Sequence, residues 1–396
     1  MSDAPPLSIE AAFEHAASQG FGPNARGRVG AEVEWLVSSP TDRRRRPDPE
    51  SVRALLAAKD ALPRCTRLSF EPGGALELST EPEASVREAF DALETDRTRI
   101  VRALASAGLE LLGLGLDPVR LPRRVLRTER YQAMEELFDQ DGRAGRWMMA
   151  NTASVQVCLD TGPDEAAIAE RWTLAHRLAP VLVAAFANSP LRRGEPSQWR
   201  STRQHVWAAI DPSRSLPVGG DPREAWARYA LDARVMALRG PGRWTVPRGL
   251  TFRDWIASGT LRPPTLDDLD FHLTTLFPPV RPRGSYLELR MIDSQPGRDW
   301  IVPLALAAAI FDDPHAREMA REALEALWHR ASERELYRRA ATVALGDEAL
   351  ARATKACFDA ALDVQTDPAL EALLERFTAA FITRSRTRAD DLVTAR

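Results

Sequence analysis

Apolar and polar positions alternate with period two in several short stretches, and each predicts a β-strand. Between Gly27 and Val37, Glu32, Glu34 and Leu36 interleave with Val33, Trp35 and Val37; side chains two apart share a face. Arg67 to Thr80 reads as a hairpin, two strand-like pieces around Pro72-Gly73-Gly74. Leu109 to Leu116, Ser154 to Leu159 and Tyr286 to Ile292 complete the strand set. Helical periodicity fills most of the rest: residues 8–20, with Ser8 as an N-cap, then 51–62, 85–107, 129–140, 163–188 and 224–237, with short elements near 252–258 and 266–276. From Pro303 onward the pattern is helical to the end, with breaks near Gly346 and Asp367-Pro368.

Strands interspersed with long helices, without regular βαβ alternation, predict an α+β fold with an antiparallel sheet. No repeat, heptad array or long linker divides the chain. The division that suits it is a catalytic body over residues 1–300 and a helical C-terminal part, 301–396, packed on it. The basic run Arg43 to Arg46, between prolines, reads as a solvated loop, and Pro190 to about Arg223 as an arginine- and proline-rich segment.

Composition removes several classes. A chain of 396 residues, 44% apolar and 28% charged, carries a substantial core. Its net charge of -3 makes no electrostatic case for nucleic acid or an anionic membrane. The start of the chain lacks the basic and apolar segments of a signal peptide, and the longest apolar run, near Leu178 to Ala187, is too short to span a bilayer and fits a buried helix. Cys65, Cys158 and Cys357 are far apart and odd in number, so neither a disulfide framework nor a CxxC site is expected, and the cytoplasm is the expected location.

The chemistry-bearing pattern is acidic residues inside strands. Glu32 and Glu34 share a face, Glu71 precedes the Gly73-Gly74 turn, Glu77 lies between Leu76 and Leu78, and Glu288 lies between Leu287 and Leu289 with Arg290 on its own face. A half-buried strand showing glutamate to water accounts for any one of these, yet glutamate is a poor strand former. If the strands are neighbours, the carboxylates form a repulsive cluster that raises pKa values or calls for cations, magnesium being the hard oxygen-seeking choice. No phosphate-binding GxxxxGK[ST] loop, GxGxxG turn, HExxH zinc motif or GxSxG nucleophile elbow is present, and Gly113 and Gly115 read as turn residues. What remains is carboxylates and arginines, the equipment for handling phosphate through metal ions. Arg203 and Trp207, four apart in Ser201 to Trp207, would stand side by side on a helical turn; a solvated surface loop is the plainer alternative.

These residues match a family. Gly30-Ala31-Glu32-Val33-Glu34-Trp35, Phe70-Glu71-Pro72-Gly73-Gly74-Ala75-Leu76-Glu77-Leu78-Ser79 and Arg130-Tyr131-Gln132-Ala133-Met134 resemble the plant-type and proteobacterial glutamate–cysteine ligases. So do Met148-Met149-Ala150-Asn151-Thr152-Ala153-Ser154-Val155-Gln156-Val157 and Tyr286-Leu287-Glu288-Leu289-Arg290. Through Val155 to Asp160 the likeness is greatest to the actinobacterial branch that serves ergothioneine synthesis. The resemblance spans about residues 28 to 310.

It implies a glutamine-synthetase-like curved antiparallel sheet with helices on its convex side, and an ATP-dependent ligase that makes γ-glutamylcysteine from glutamate and cysteine through γ-glutamyl phosphate. Two or three Mg2+ ions would be held by Glu32, Glu34, Glu71, Glu77 and Glu288, with Gln156 standing where some relatives carry a histidine ligand. Arg290, beside Glu288, would meet the transferring phosphate. Arg203 would grip glutamate with Trp207 close by, and Thr152 and Tyr229 would complete the substrate pocket. Cys158 stands where plant relatives carry asparagine, and it reads as a small strand residue. A related ligase with another amine acceptor, and a non-catalytic nucleotide-binding paralogue, are the alternatives. The sequence leaves the oligomeric state open, with a monomer slightly favoured.

Overall fold

The structure is a computed structural model that describes residues 7–24 and 26–394. The first six residues of the stretch read as leaderless, and the last two of the C-terminal part, lie outside it. The strands are β1 (Val29–Ser38), β2 (Thr66–Phe70), β3 (Leu76–Thr80), β4 (Glu110–Leu112), β5 (Ser154–Asp160), β6 (Leu191–Arg192), β7 (Glu195–Pro196), β8 (Val280–Pro282) and β9 (Tyr286–Asp293). Seven of them form one sheet in the order β2-β3-β1-β5-β9-β8, with β4 also paired to β1, and every pairing is antiparallel. The fold is therefore α+β, as the strand and helix pattern predicts.

The alternation seen in sequence sorts the two faces of this sheet. Val33, Trp35, Leu76, Leu78, Val155, Val157, Leu287 and Leu289 are buried in the main core. They face the helices Val86–Ala105, Glu165–Ala185 and Val302–Asp312, which pack against the sheet. Each such large apolar side chain contributes about 1.5–3 kcal/mol by leaving water. Side chains of opposite parity, Glu32, Glu34, Glu77, Gln156, Glu288 and Arg290, share the other face. The same core runs without interruption into the C-terminal helices, from Ala16 to Ile382, so no gap in packing marks residue 300.

Several local readings change. The strand at 109–116 shortens to β4, because Gly113 and Gly115 press against Gln295 and Asp293. A Cβ on Gly115 would stand 2.3 Å from the Asp293 carboxyl carbon. The arginine- and proline-rich segment after Pro190 holds the β6–β7 hairpin and the helix Thr202–Ala208, whose N-cap Ser201 accepts from Gln204 N–H. Ala144–Asn151 is a further helix. The basic run is not wholly solvated. The Arg46 guanidinium donates to the carbonyls of Gly73 (2.6 Å), Ala150 (2.9 Å) and Leu121 (3.3 Å) and to Asn151 Oδ1 (3.2 Å), while Arg43 pairs with Glu110. Three backbone segments distant in sequence meet on one arginine, a role that local periodicity cannot carry.

Candidate active site

The β2–β3 turn brings Glu71 to the face already occupied by Glu34 and Glu77. Gly73 makes this possible: a Cβ there would lie 2.0 Å from the Ala150 carbonyl oxygen, so only glycine lets the turn seat against the helix Ala144–Asn151. Glu34 stands directly opposite Glu77 across the β1–β3 pair, a placement that costs stability for like charges. Carboxylate oxygens of Glu34, Glu71 and Glu77 all lie within 4.8 Å of one another. Glu34 is fixed by Ser154, whose N–H and Oγ donate at 2.9 and 3.1 Å, and by Gln156 Nε2 at 3.2 Å. Glu77 accepts from Ser69 Oγ at 2.5 Å and from Ser79 Oγ at 3.4 Å.

Burial and mutual repulsion push these carboxyls up. Burial raises Glu71 well above the carboxylate range, and Glu34 and Glu77 add to it. Glu77 is pushed up to about 7 by burial and then by Glu34, against the Ser69 hydrogen bond. Glu34 is raised by burial although Arg203 and Ser154 oppose the shift. Glu32 is pushed up to about 7 by burial, then by Glu288 and Glu77. An oxygen-only donor set of this kind fits a hard divalent cation, which would relieve the repulsion that the protein leaves standing.

Glu288 belongs to a different environment on the same face. Arg290 Nη1 lies 2.9 Å from its carboxylate, Arg283 Nε 3.1 Å and Arg281 Nη1 3.5 Å. Burial favours its neutral form, but Arg281, Arg290 and Arg283 together outweigh that and hold its pKa below the ordinary value. Arg290 also donates to Gln156 Oε1. Gln156 thus spends its oxygen on Arg290 and its amide nitrogen on Glu34. It bridges the two charge groups. Cys158 faces Glu288 across the β5–β9 pair; the three cysteines are free, and burial and then Glu32 and Glu288 hold the Cys158 thiol neutral.

Arg203 is 3% exposed. Its Nη2 donates to the Arg290 carbonyl at 2.8 Å, and its Nη1 lies 3.9 Å from Asp293. Its guanidinium carbon lies 5.7 Å from the centre of the Trp207 ring, so the helix Thr202–Ala208 does put the two side by side. Asp293 is anchored by Asn188 N–H, Ser189 Oγ and Ser201 Oγ. Thr152 is spent locally, donating to the Met148 carbonyl at 2.6 Å as it ends its helix. Tyr229 stacks on Trp226 and packs into the main core, its hydroxyl buried and without a partner. Neither lines the cavity that Arg203 and Trp207 share.

The sequence reading passed over four groups. Arg281 and Arg283 flank Glu288 from the three-residue strand β8 and its turn, too short to show any period. Tyr131 feels Glu71, Glu77 and Glu34 and is pushed up to about 12, by burial first. Arg130 is braced on Thr274 through two 2.9 Å hydrogen bonds. The Arg130-Tyr131 pair was in view as a family motif, with no role attached to it.

Comparison with known proteins finds similar chains. The glutamate–cysteine ligase EgtA of Mycolicibacterium smegmatis is 43% identical over 340 residues, covering 82% of this chain and 79% of that protein. The chloroplastic glutamate–cysteine ligase of Medicago truncatula is 33% identical over 244 residues, covering 58% of this chain and 47% of that protein. A solved glutamate–cysteine ligase from Francisella tularensis, in complex with AMP, has the same fold: its TM-score is 0.55 at 13% identity, covering 95% of this chain and 86% of that one. Residues 28–390 match the family described as glutamate-cysteine ligase family 2. By this match and by its likeness to these relatives, the chain belongs to glutamate–cysteine ligase family 2.

Proposed function

We propose that this protein is an ATP- and Mg2+-dependent ligase that joins the γ-carboxyl of L-glutamate to the amine of L-cysteine through γ-glutamyl phosphate, for ergothioneine synthesis. The observation that carries the reading is the trio Glu34, Glu71 and Glu77, left uncompensated next to the arginine-rich Glu288 group. Glu34, Glu71 and Glu77 would hold Mg2+, with Glu32 and Glu288 at the border of that set. Bound magnesium supplies positive charge for the triphosphate and for the oxygens of the transferring phosphoryl group.

The chain's own work is positioning and charge. Burial disfavours the charged form of Arg290, but Glu288, Glu32 and Glu34 outweigh it and keep the guanidinium protonated, fixed where negative charge spreads during transfer. Arg203 offers a guanidinium fork for a substrate carboxylate, and Trp207 walls that side. No covalent nucleophile is needed, because the γ-carboxylate attacks phosphorus and the cysteine amine then displaces phosphate from the acyl carbon. Holding two anions in line accounts for the rate. Mass spectrometry after incubation with glutamate, cysteine and Mg-ATP should find γ-glutamylcysteine and an equal amount of ADP. Dipeptides formed only with other amines in a panel would correct the acceptor, and no ADP with any amine would end the ligase reading.

A further inference from the structure

The three carboxylates of the trio are held in different ways. Glu34 and Glu77 lie within β1 and β3, and neighbouring hydroxyl or amide groups donate to their side chains. Glu71 lies in the turn between β2 and β3, and among the described residues no hydrogen bond reaches its carboxylate. Its place is therefore set by the backbone of the turn. Inside the turn, Glu71 N–H donates to the Ala75 carbonyl at 2.9 Å and Gly74 N–H to the Glu71 carbonyl at 2.7 Å. From outside, the Pro72 carbonyl accepts from Val125 N–H at 2.8 Å. The one side chain that hydrogen-bonds residues 71–75, among the described residues, is Arg46, through the Gly73 carbonyl.

That arginine joins the turn to the end of the helix Ala144–Asn151. The same Nη1 donates to the Ala150 carbonyl, which lies in the last turn of its helix and has no intrahelical partner, and Nη2 reaches Asn151 Oδ1. Asn151 is fully buried, and its Nδ2 donates to the Arg120 carbonyl at 2.6 Å. Two carbonyl oxygens aimed at one nitrogen repel each other when the donor is gone, and both are left unpaired. Burial and then Arg120 lower the Arg46 pKa to about 10, so the guanidinium stays charged at pH 7 and its hydrogen bonds are of the stronger, charge-assisted kind. The repulsion within the trio works in the other direction: it pushes outward on Glu71, the member that no strand ladder holds. We propose that Arg46 is a positioning residue of the acidic site, fastening the turn 71–75 to the helix Ala144–Asn151 and so keeping Glu71 beside Glu34 and Glu77. The proposal rests on the reading of Glu71 as a magnesium ligand for its consequence in catalysis. The basic run then contributes to the site from a distance, without touching substrate.

The test is Arg46→Ala, with Arg46→Lys beside it, in the full-length protein. Hydrogen exchange of the metal-free protein reads the turn directly: in Arg46→Ala, peptides covering residues 70–78 should exchange at least about tenfold faster, while peptides of β9 keep wild-type rates. Calorimetric titration with Mg2+ alone should show binding weakened about tenfold, the usual cost of removing a partner that orients a metal ligand. In turnover, the Mg2+ concentration at half-maximal rate should rise with it, while the KM for glutamate moves less than about twofold. Arg46→Lys restores the charge and a donor nitrogen and should recover part of each effect; it carries the same readouts if the alanine variant does not fold. Unchanged exchange over 70–78, or an equal acceleration there and in β9, would overturn the proposal, and so would Mg2+ binding of wild-type strength in Arg46→Ala. If the wild-type protein bound no Mg2+ the metal reading would fail, and the exchange measurement would still decide whether Arg46 sets the turn.

Discussion

Two groups of buried and half-buried carboxylates share one face of one sheet, and they behave in opposite ways. Glu34, Glu71 and Glu77 have each other and neutral donors of Ser69, Ser79, Ser154 and Gln156 at close range, and their pKa values rise although Arg203 and Arg290 oppose the shift. Glu288, 2% exposed, meets three arginines and its pKa falls. Depth of burial is therefore not what separates them; supply of positive charge is. One group is electrostatically complete within the chain and serves to orient Arg290. The other lacks matching positive charge within the chain, which is what the proposed cation site requires.

Paired substitutions break this comparison most forcefully. Glu71→Gln and Glu288→Gln should each reduce turnover by about 100-fold or more, since both disturb charge placed around the transferring group. Their effects on folding should have opposite signs. Glu288→Gln strips three arginines of their shared anion and should cost about 3 kcal/mol in urea unfolding. Glu71→Gln removes a carboxyl that folding must protonate or leave repelling its neighbours, and should stabilise the metal-free protein by about 1 kcal/mol. Equal destabilisation by both variants would show that the two groups are not distinct.

The pH dependence sharpens the contrast with a smaller effect. Glu32 and Glu77 stand at about 7 in the folded protein against an ordinary value of 4.5. Between those values the folded state binds more protons than the unfolded one, so stability falls as pH rises. Metal-free protein should therefore lose about 1 kcal/mol or more in urea midpoint experiments between pH 4.5 and 7. With Mg2+ present the trend should reverse near pH 7, because losing those protons frees ligands. A metal-free protein whose stability stays flat across that interval would contradict the raised values.

How much of this was legible in the sequence follows from the range of the interactions. Strand parity needs only neighbours, so Glu32, Glu34, Glu77 and Glu288 were placed on one face correctly, and Arg203 with Trp207 on one helical turn. The separation into a compensated and an uncompensated group was not legible, because Arg281 and Arg283 come from β8, three residues long, and the turn after it, and the pairing of β8 to β9 leaves no periodic trace. Arg46 was misread for a related reason: its partners lie 27 to 105 positions away. Gln156 was on the right face, but which of its atoms met which neighbour depended on Arg290 across the β5–β9 irregularity.

The central claim is that Glu34, Glu71 and Glu77 need a divalent cation. Calorimetric titration of the metal-free protein with Mg2+ at pH 7, repeated in two buffers of different ionisation enthalpy, tests it directly. Saturable binding accompanied by proton release, weakened at least about tenfold in Glu71→Gln and retained more fully in Cys158→Ser, is the predicted result. Binding of the same strength in wild type and Glu71→Gln, or no binding at millimolar Mg2+ with or without a non-hydrolysable ATP analogue, would contradict it.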